Sequence, residues 1–519
     1  MSKRLILILV LAFALGITCA AYAEVQNVKV SGDITVKGVA RDNLDLVKTQ
    51  SEQLTNGAGT ATNFDDQSAD ILSIARIRVD ADLTDNVVAT VRLLNERNWN
   101  GEAIVAGQTN SNIGLNGATA NEHGVDVDLA YITLKEFLYS PLTLMIGRQE
   151  LHFGNDLIVG DPDTNIYSAA SNLAEGDLSA RKSFDAIRAT LDYNPLVVDV
   201  VYAKIQEGLD NLNDDISLGG INASYALTDT TTLEGYLFSK ITDANNANVF
   251  NLDGNSAAVP VGIEHKSDMV NTVGIRAVDR TLPNLTLDGQ IAYQFGRYNP
   301  RFDANANYDA TGPSGVTGAR MHKRSAWAAQ VKAAYDLKDV DMVSAWTPMV
   351  YAGYTYLSGA DRDQGLDESY KGWDPMFENQ TEGHLINAIF ANTNTQQIAL
   401  GASAKLTEDL TANLDYVTKW FARNFPENTL TGRRVILSGI YGATAATSGR
   451  VFRVGEDKFI GQEIDAKLTY DYTEDVQFGL MGGILLLSDN VRADVPSYPD
   501  AKNKKGSATE LIGSMKVTF

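Results

Sequence analysis

Between residues 460 and 472 the chain reads IGQEIDAKLTYDY. This puts Ile460, Ile464, Ala466, Leu468, Tyr470 and Tyr472 on one face and Glu463, Asp465, Lys467, Thr469 and Asp471 on the other. A period of two marks a strand with unlike faces. Beyond the turn TED, residues 476–487 gather Val476, Phe478, Leu480, Ile484 and Leu486 on one side. Residues 285–297 set Leu285, Leu287, Ile291, Tyr293 and Phe295 against Asp288, Gln290 and Gln294. Such segments run well past the roughly five or six residues usual in globular sheets.

About 18 of these segments follow one another along the 519 residues, and the connections between them alternate in length. Short ones fall near 85, 140, 194, 228, 282, 408 and 474, with a longer one near 340. Long ones fall at 41–69, 99–124, 152–183, 240–268, 299–324, 359–394, 424–459 and 490–506. Alternation of this kind requires antiparallel neighbours with all short turns at one end. It predicts an all-β chain forming a transmembrane antiparallel β-barrel, with short periplasmic turns, long extracellular loops and both termini in the periplasm. Only a closed barrel lets strands cross a bilayer, because hydrocarbon satisfies no backbone polar group.

The N-terminus supplies the route to that membrane. Lys3 and Arg4 precede an apolar run from Leu5 to Ile17, and Ala21 and Ala23 are small residues suited to a cleavage site. The run is too short to span a bilayer, which takes about 20 apolar residues. Residues 1–23 are therefore expected to be a signal peptide and 24–519 a single barrel domain. Cys19, the one cysteine, leaves with that peptide, and with it go disulfides, thiolate metal sites and cysteine nucleophiles. Loss of Lys3 and Arg4 takes the formal charge from −22 to −24. A chain this acidic is not expected to bind nucleic acid, whose recognition needs surplus positive charge.

If the apolar face meets lipid, the polar face lines a water-filled lumen. Arg76, Arg78, Arg92, Arg188, Arg276 and Lys405 then point inward, together with Asp80, Asp126, Asp128, Asp199, Asp288, Asp415 and Glu463. Arg148, Arg181 and Asp185 also join the candidate solute pathway, although the apolar run Leu144, Met145 and Ile146 before Arg148 leaves its parity open. The plainer reading of these arginines is that they pair with lumen acids and hold the barrel's shape. In the last segment, ELIGSMKVTF, Leu511, Met515, Val517 and Phe519 share the lipid-facing parity. A terminal aromatic on that face resembles the signal read by the barrel-assembly machinery, making that machinery an expected partner.

The stretches IGRQELHFGNDLIVGD (146–161) and ARKSFDAIR (180–188), with GWDPMFE (372–378) further on, resemble the alginate-export family of outer-membrane channels. Gly147, Arg148, Gln149, Phe184, Asp185 and Arg188 are among the residues that carry the likeness. The resemblance implies a barrel of about 18 strands whose basic lumen passes an anionic polysaccharide across the outer membrane of a Gram-negative bacterium. The inferred lumen nevertheless holds about as many acids as bases, whereas a linear polyanion wants a continuous positive track. The solute therefore stays open between hydrophilic solutes in general and an alginate-like polymer.

Other chemistry finds few parts. His123, His152, His265, His322 and His384 are scattered without metal-site or triad spacing, so neither a metal centre nor an enzyme is expected. Acidic residues between 359 and 394, and Asp161 with Asp163, offer oxygen ligands for calcium, but no complete calcium loop is present and a solvated acidic surface is the simpler expectation. Expected partners are outer-membrane lipid, lipopolysaccharide and a hydrophilic or anionic solute. The competing function is a structural or adhesion barrel plugged by its own loops. The loop from His152 to Ser183 is long enough to fold inward, where Arg148, Arg181 and Arg188 are expected to converge on one side of a constriction, with Glu150 and Asp185 available to pair with them.

Overall fold

The computed structural model describes residues 27–44, 67–99, 124–138, 140–162, 176–207, 215–243, 267–298, 322–359, 369–424, 456–494 and 507–519, with short strand pieces at 54–55, 61–62, 435–437 and 451–454. The expected signal peptide at 1–23 lies outside the described residues. Eighteen strands make one sheet. The first nine are β1 (Asn27–Asp42), β2 (Gln67–Thr84), β3 (Val87–Asn98), β4 (Asp126–Leu134), β5 (Leu142–Glu150), β6 (Ser183–Asp192), β7 (Leu196–Gln206), β8 (Ile216–Ala226) and β9 (Thr231–Thr242). The second nine are β10 (Asp268–Asp279), β11 (Leu285–Tyr298), β12 (His322–Asp336), β13 (Met349–Leu357), β14 (Thr395–Lys405), β15 (Leu410–Phe421), β16 (Phe459–Asp471), β17 (Val476–Leu487) and β18 (Ala508–Thr518).

Each strand pairs antiparallel with its neighbour in sequence, and β1 pairs with both β2 and β18, which closes the barrel. The closing seam continues to the last residue. Gly32 and Phe519 exchange backbone hydrogen bonds of 2.8 and 2.9 Å, and a Cβ at Gly32 would meet the Phe519 ring at 2.8 Å. The expected alternation of short and long connections holds, with one addition. Residues 207–215 join β7 to β8 at the long-loop end, a connection too short to stand out in the sequence.

The faces sort as the period of two requires. Ile77, Ile187, Ile275, Ile291, Val331 and Leu480 are all exposed on the outer face, while Gln290, Gln294, Asp128 and Glu463 are buried on the inner one. Aromatic residues bracket the apolar band. Tyr293, Phe295 and Trp327 lie towards the long loops, and Tyr335, Tyr470, Tyr472 and Phe478 towards the short turns, which is the girdle arrangement of membrane barrels. A bulge breaks the expected parity in β16. Lys419 pairs with Gly461 and Trp420 with Phe459, so Ile460 is the extra residue of a bulge and packs inward at 0% exposure instead of facing lipid.

Candidate functional site: the lumen and its constriction

Two long connections enter the barrel. In the first, residues 151–162, Phe153 and Val159 are buried against inward-facing Phe184 and Phe238 of the wall. In the second, residues 369–394, Trp373 and Phe377 join the same cluster. Further along that segment lies a short helix, α1 (His384–Ile389). Its Leu385, Ile386 and Ile389 pack with Val417 and Leu485 on the opposite side of the lumen. The two segments are tied together by backbone. Phe377 N–H donates to Ile158 O at 3.0 Å, Gly160 N–H to Phe377 O at 2.7 Å, and Asn379 N–H to Asp156 O at 2.9 Å. The expectation that the connection after His152 folds inward is met within 151–162, and the segment holding GWDPMFE meets it there.

Buried polar groups fasten the second segment to the wall. The Asp374 carboxylate accepts from Lys240 of β9 at 2.6 Å, and its backbone exchanges two hydrogen bonds with the Gln294 side chain of β11. Gln330 of β12 donates to Gln380 at 2.8 Å, and Glu382 pairs with Lys332. Across the lumen, Lys419 of β15 donates to the side-chain oxygens of Asn387 and Asn392 at 2.8 Å each. Glu463 of β16 accepts the first two amides of α1 after His384, from Leu385 and Ile386, at 2.7 Å each. His384 Nδ1 donates to Glu510 of β18 at 2.6 Å. The segment therefore spans the barrel from β9 to β18.

His384 gives this crossing a pH dependence. Burial opposes its charge, but the hydrogen bond and charge of Glu510 and the charge of Asp177 outweigh burial and the repulsion of Arg41, so its pKa is raised. A raised pKa means that the contact is at full strength below the ordinary histidine value of about 6.5 and is lost as pH rises through the higher folded value. Single-channel current is accordingly expected to grow as pH rises through that window. His384→Gln keeps a donor without the charge and should flatten the response. A wild-type current independent of pH there would remove His384 from the constriction's control.

The candidate arginines are placed as follows, and each has an acidic partner. Arg76 binds Asp33 at 2.9 Å, Arg78 holds Asp80 through two bonds, and Arg92 binds Asp128 at 2.6 Å and Glu150 at 2.5 Å. Arg188 binds Asp199 at 2.8 Å and lies over the Phe153 ring, while Arg276 bridges Asp288 and Glu234. The convergence of Arg148, Arg181 and Arg188 does not occur. Arg181 reaches Asp126 at 3.6 Å. Arg148 and Asp185 are cross-strand neighbours on the outward parity and pair with each other at 3.1 Å. The next outward pair below them is Ile146 with Ile187, which is 47% exposed. Gln149, next to Arg148 along the strand, is inward at 0% exposure and donates to Ala186 O at 3.0 Å.

The cations that form no ion pair among the described residues are elsewhere. Lys37, Lys405, Lys467 and Lys516 face the lumen from β1, β14, β16 and β18 and make no ion pair or hydrogen bond among the described residues. The register sets three of them in successive inward rows. Lys467 aligns through Met481 and Ile512 with Val39. Lys37 lies opposite Ser514 in the next row, and Lys516 opposite Thr35 in the row after that. Rows two residues apart are about 7 Å apart along a strand. Lys405 shares the row of Lys37 through Thr411, Thr469 and Gly479. The alternation alone places Lys405 and Lys467 inward, but which cations stay free depends on which distant strands lie beside them.

The acids expected to offer calcium ligands are mostly engaged. Asp374 and Glu382 hold lysines, Asp161 pairs with Lys182, and 360–368 lie outside the described residues. Glu463, Asp465 and Glu510 bring carboxylate oxygens within 4.8 Å of one another, but Glu463 already accepts the α1 amides and Glu510 is held by Arg41 and His384.

A closed barrel with a charged lumen, narrowed by its own inward segments, defines a transmembrane β-barrel channel. More particularly, the chain belongs to the alginate export family, whose sequence model matches residues 47–503. Among solved structures, it is similar to Pseudomonas aeruginosa OpdQ at 11% identity and a TM-score of 0.47, covering 96% of this chain and 99% of that one. It is also similar to a BenF-like porin from Pseudomonas fluorescens Pf-5 at 10% identity and a TM-score of 0.48, covering 95% and 100%. Pseudomonas aeruginosa OpdK with vanillate gives 10% identity and a TM-score of 0.46, covering 95% and 99%. No curated protein matches the chain.

Proposed function

We propose that this protein conducts anionic hydrophilic solutes, acidic saccharides included, across the outer membrane of a Gram-negative bacterium, along the wall formed by β14 to β18 and β1. The observation that carries this reading is the set of lysines Lys37, Lys467 and Lys516, without an ion pair among the described residues, in three successive lumen rows. Paired arginines present little net field, whereas free ammonium groups staggered about 7 Å apart along the strands offer a migrating carboxylate repeated partners. In this reading residues 1–23 direct export, Phe519 is read during barrel assembly, and the protein performs no chemistry on its solute.

The test is ion selectivity in planar bilayers. Replacing Lys37, Lys467 and Lys516 together by glutamine is expected to shift the reversal potential away from anions and weaken block by uronate oligomers. Arg148→Gln, on the outer face, should change neither. Unchanged selectivity in the triple variant would sink the anion reading. The inward segment 369–394 favours a second reading, a loop-plugged scaffold, and bilayers that stay closed with correctly inserted protein would decide for it.

A further inference from the structure

The outer face carries a pair of cations that no described residue balances. Arg297 of β11 and Lys323 of β12 are directly opposed in the register, and both are exposed. They share the outward parity with Phe295 and Trp327, which are 40% and 44% exposed. Neither makes an ion pair or side-chain hydrogen bond among the described residues. Like charges directly opposite on one sheet face are destabilising, so the arrangement favours an anion between them. Other outward cations at the same end of the barrel are answered within the chain. Arg148 has Asp185 at 3.1 Å, and Lys204 has Glu207 and Asp215 at 2.5 Å each. On the inner side of the same strands, Arg324 is already committed to Asp268 at 3.1 Å and to the rings of Tyr298 and Tyr370.

The position of the pair says what the anion is. Phe295 and Ser325 form the next outward row below it, and Tyr293 and Trp327 the row after that. Tyr293 stacks with Phe295 at 6.3 Å, and Trp327 with Tyr356 at 4.4 Å. These rings form the girdle at the long-loop end, and girdle aromatics sit at the headgroup level. Two cations immediately beyond such a girdle, on the lipid side of the wall, lie where the headgroups of the outer leaflet are.

We propose that Arg297 and Lys323 form a phosphate-binding site for a phosphorylated glycolipid of the outer leaflet. The guanidinium supplies two parallel donors to the phosphate oxygens and the ammonium a point charge opposite it. The pair would fix one lipid against β11 to β13, with the acyl chains descending over Phe295, Tyr293 and Trp327. The proposal rests on the long-loop end being the outer surface, a reading tested separately by protease access to the long loops on intact cells.

The test uses the full-length mature protein in detergent, with its heat-dependent gel shift as the check on folding. Binding is measured by native mass spectrometry for bisphosphorylated lipid A, for the same lipid stripped of phosphate, and for inorganic phosphate. The wild type is expected to retain the phosphorylated lipid at concentrations several-fold below those needed for the stripped one. Arg297→Gln with Lys323→Gln should abolish that preference, and Arg297→Lys with Lys323→Arg, which keeps both charges, should preserve it. Equal binding of the two lipids by folded wild type overturns the proposal, as does a preference that survives the double glutamine variant. Inorganic phosphate binding without any preference for the phosphorylated lipid overturns the assignment to a lipid.

Discussion

Val331→Arg is expected to impair insertion and lower barrel stability by about 2–4 kcal/mol, the usual range for a charged residue at mid-bilayer on the lipid face. Val331 is 58% exposed on the outer face of β12, four residues from Trp327 in one girdle and four from Tyr335 in the other, which puts it near the middle of the apolar band. Its neighbour Lys332 points inward and pairs with Glu382. Lys332→Gln should therefore leave insertion intact and act only on the constriction. Unfolding titrations in lipid vesicles, read alongside conductance, separate the two. Equal loss of stability in both variants would mean that the inward and outward faces of β12 are misassigned.

Much of the wall was legible because each strand meets two solvents, and that difference is written as a period of two. The eighteen-strand count survived even though the connection at 207–215 escaped notice, since Gly219 and Gly220 weaken the alternation of β8 just beyond it. Facing failed where apolar residues pack inward or the ladder bulges. Phe184 faces the inner cluster opposite Gln149, which leaves Asp185 and Arg148 outward, and the bulge beside Gly461 turns Ile460 in. Residues 158 and 377 stand more than two hundred positions apart with no shared period, so their meeting inside the lumen was invisible. Family likeness marked both stretches without saying that they touch. Pairing of the lumen charges was equally hidden. Arg276 is neutralised by Glu234 and Asp288 from the strands on either side, whereas Lys467 faces Asn413 and Met481 across its two neighbours. Arginine and lysine look alike in the alternation, and only the register tells the paired cation from the free one.

Asp374→Asn is expected to release the inward segment while leaving the wall standing. Asp374 is 1% exposed and meets the Lys240 ammonium at 2.6 Å, with Arg324 close enough to add its charge. Removing one member of a buried pair strands the other charge, at a typical cost of about 3–5 kcal/mol. That cost falls on the docking of 369–394, because the segment lies outside the eighteen-strand ladder. The heat-dependent gel shift should persist, single-channel conductance should rise, and a protease should cut the segment more readily. Acid should reproduce the effect in the wild type. Burial pushes the Asp374 carboxyl up, but the charges of Lys240 and Arg324 outweigh it and hold its pKa below the usual aspartate value. A lowered pKa means that the stabilisation is complete above the ordinary value of about 3.9 and is lost as pH falls through the lower folded value. This is the opposite sense to His384, so the two ends of one crossing should loosen at opposite ends of the pH range. In Asp374→Asn the acid step should vanish while the alkaline one remains. If the variant conducts like the wild type at neutral and acidic pH alike, the passage is not limited by this segment and the constriction must be sought elsewhere along the wall.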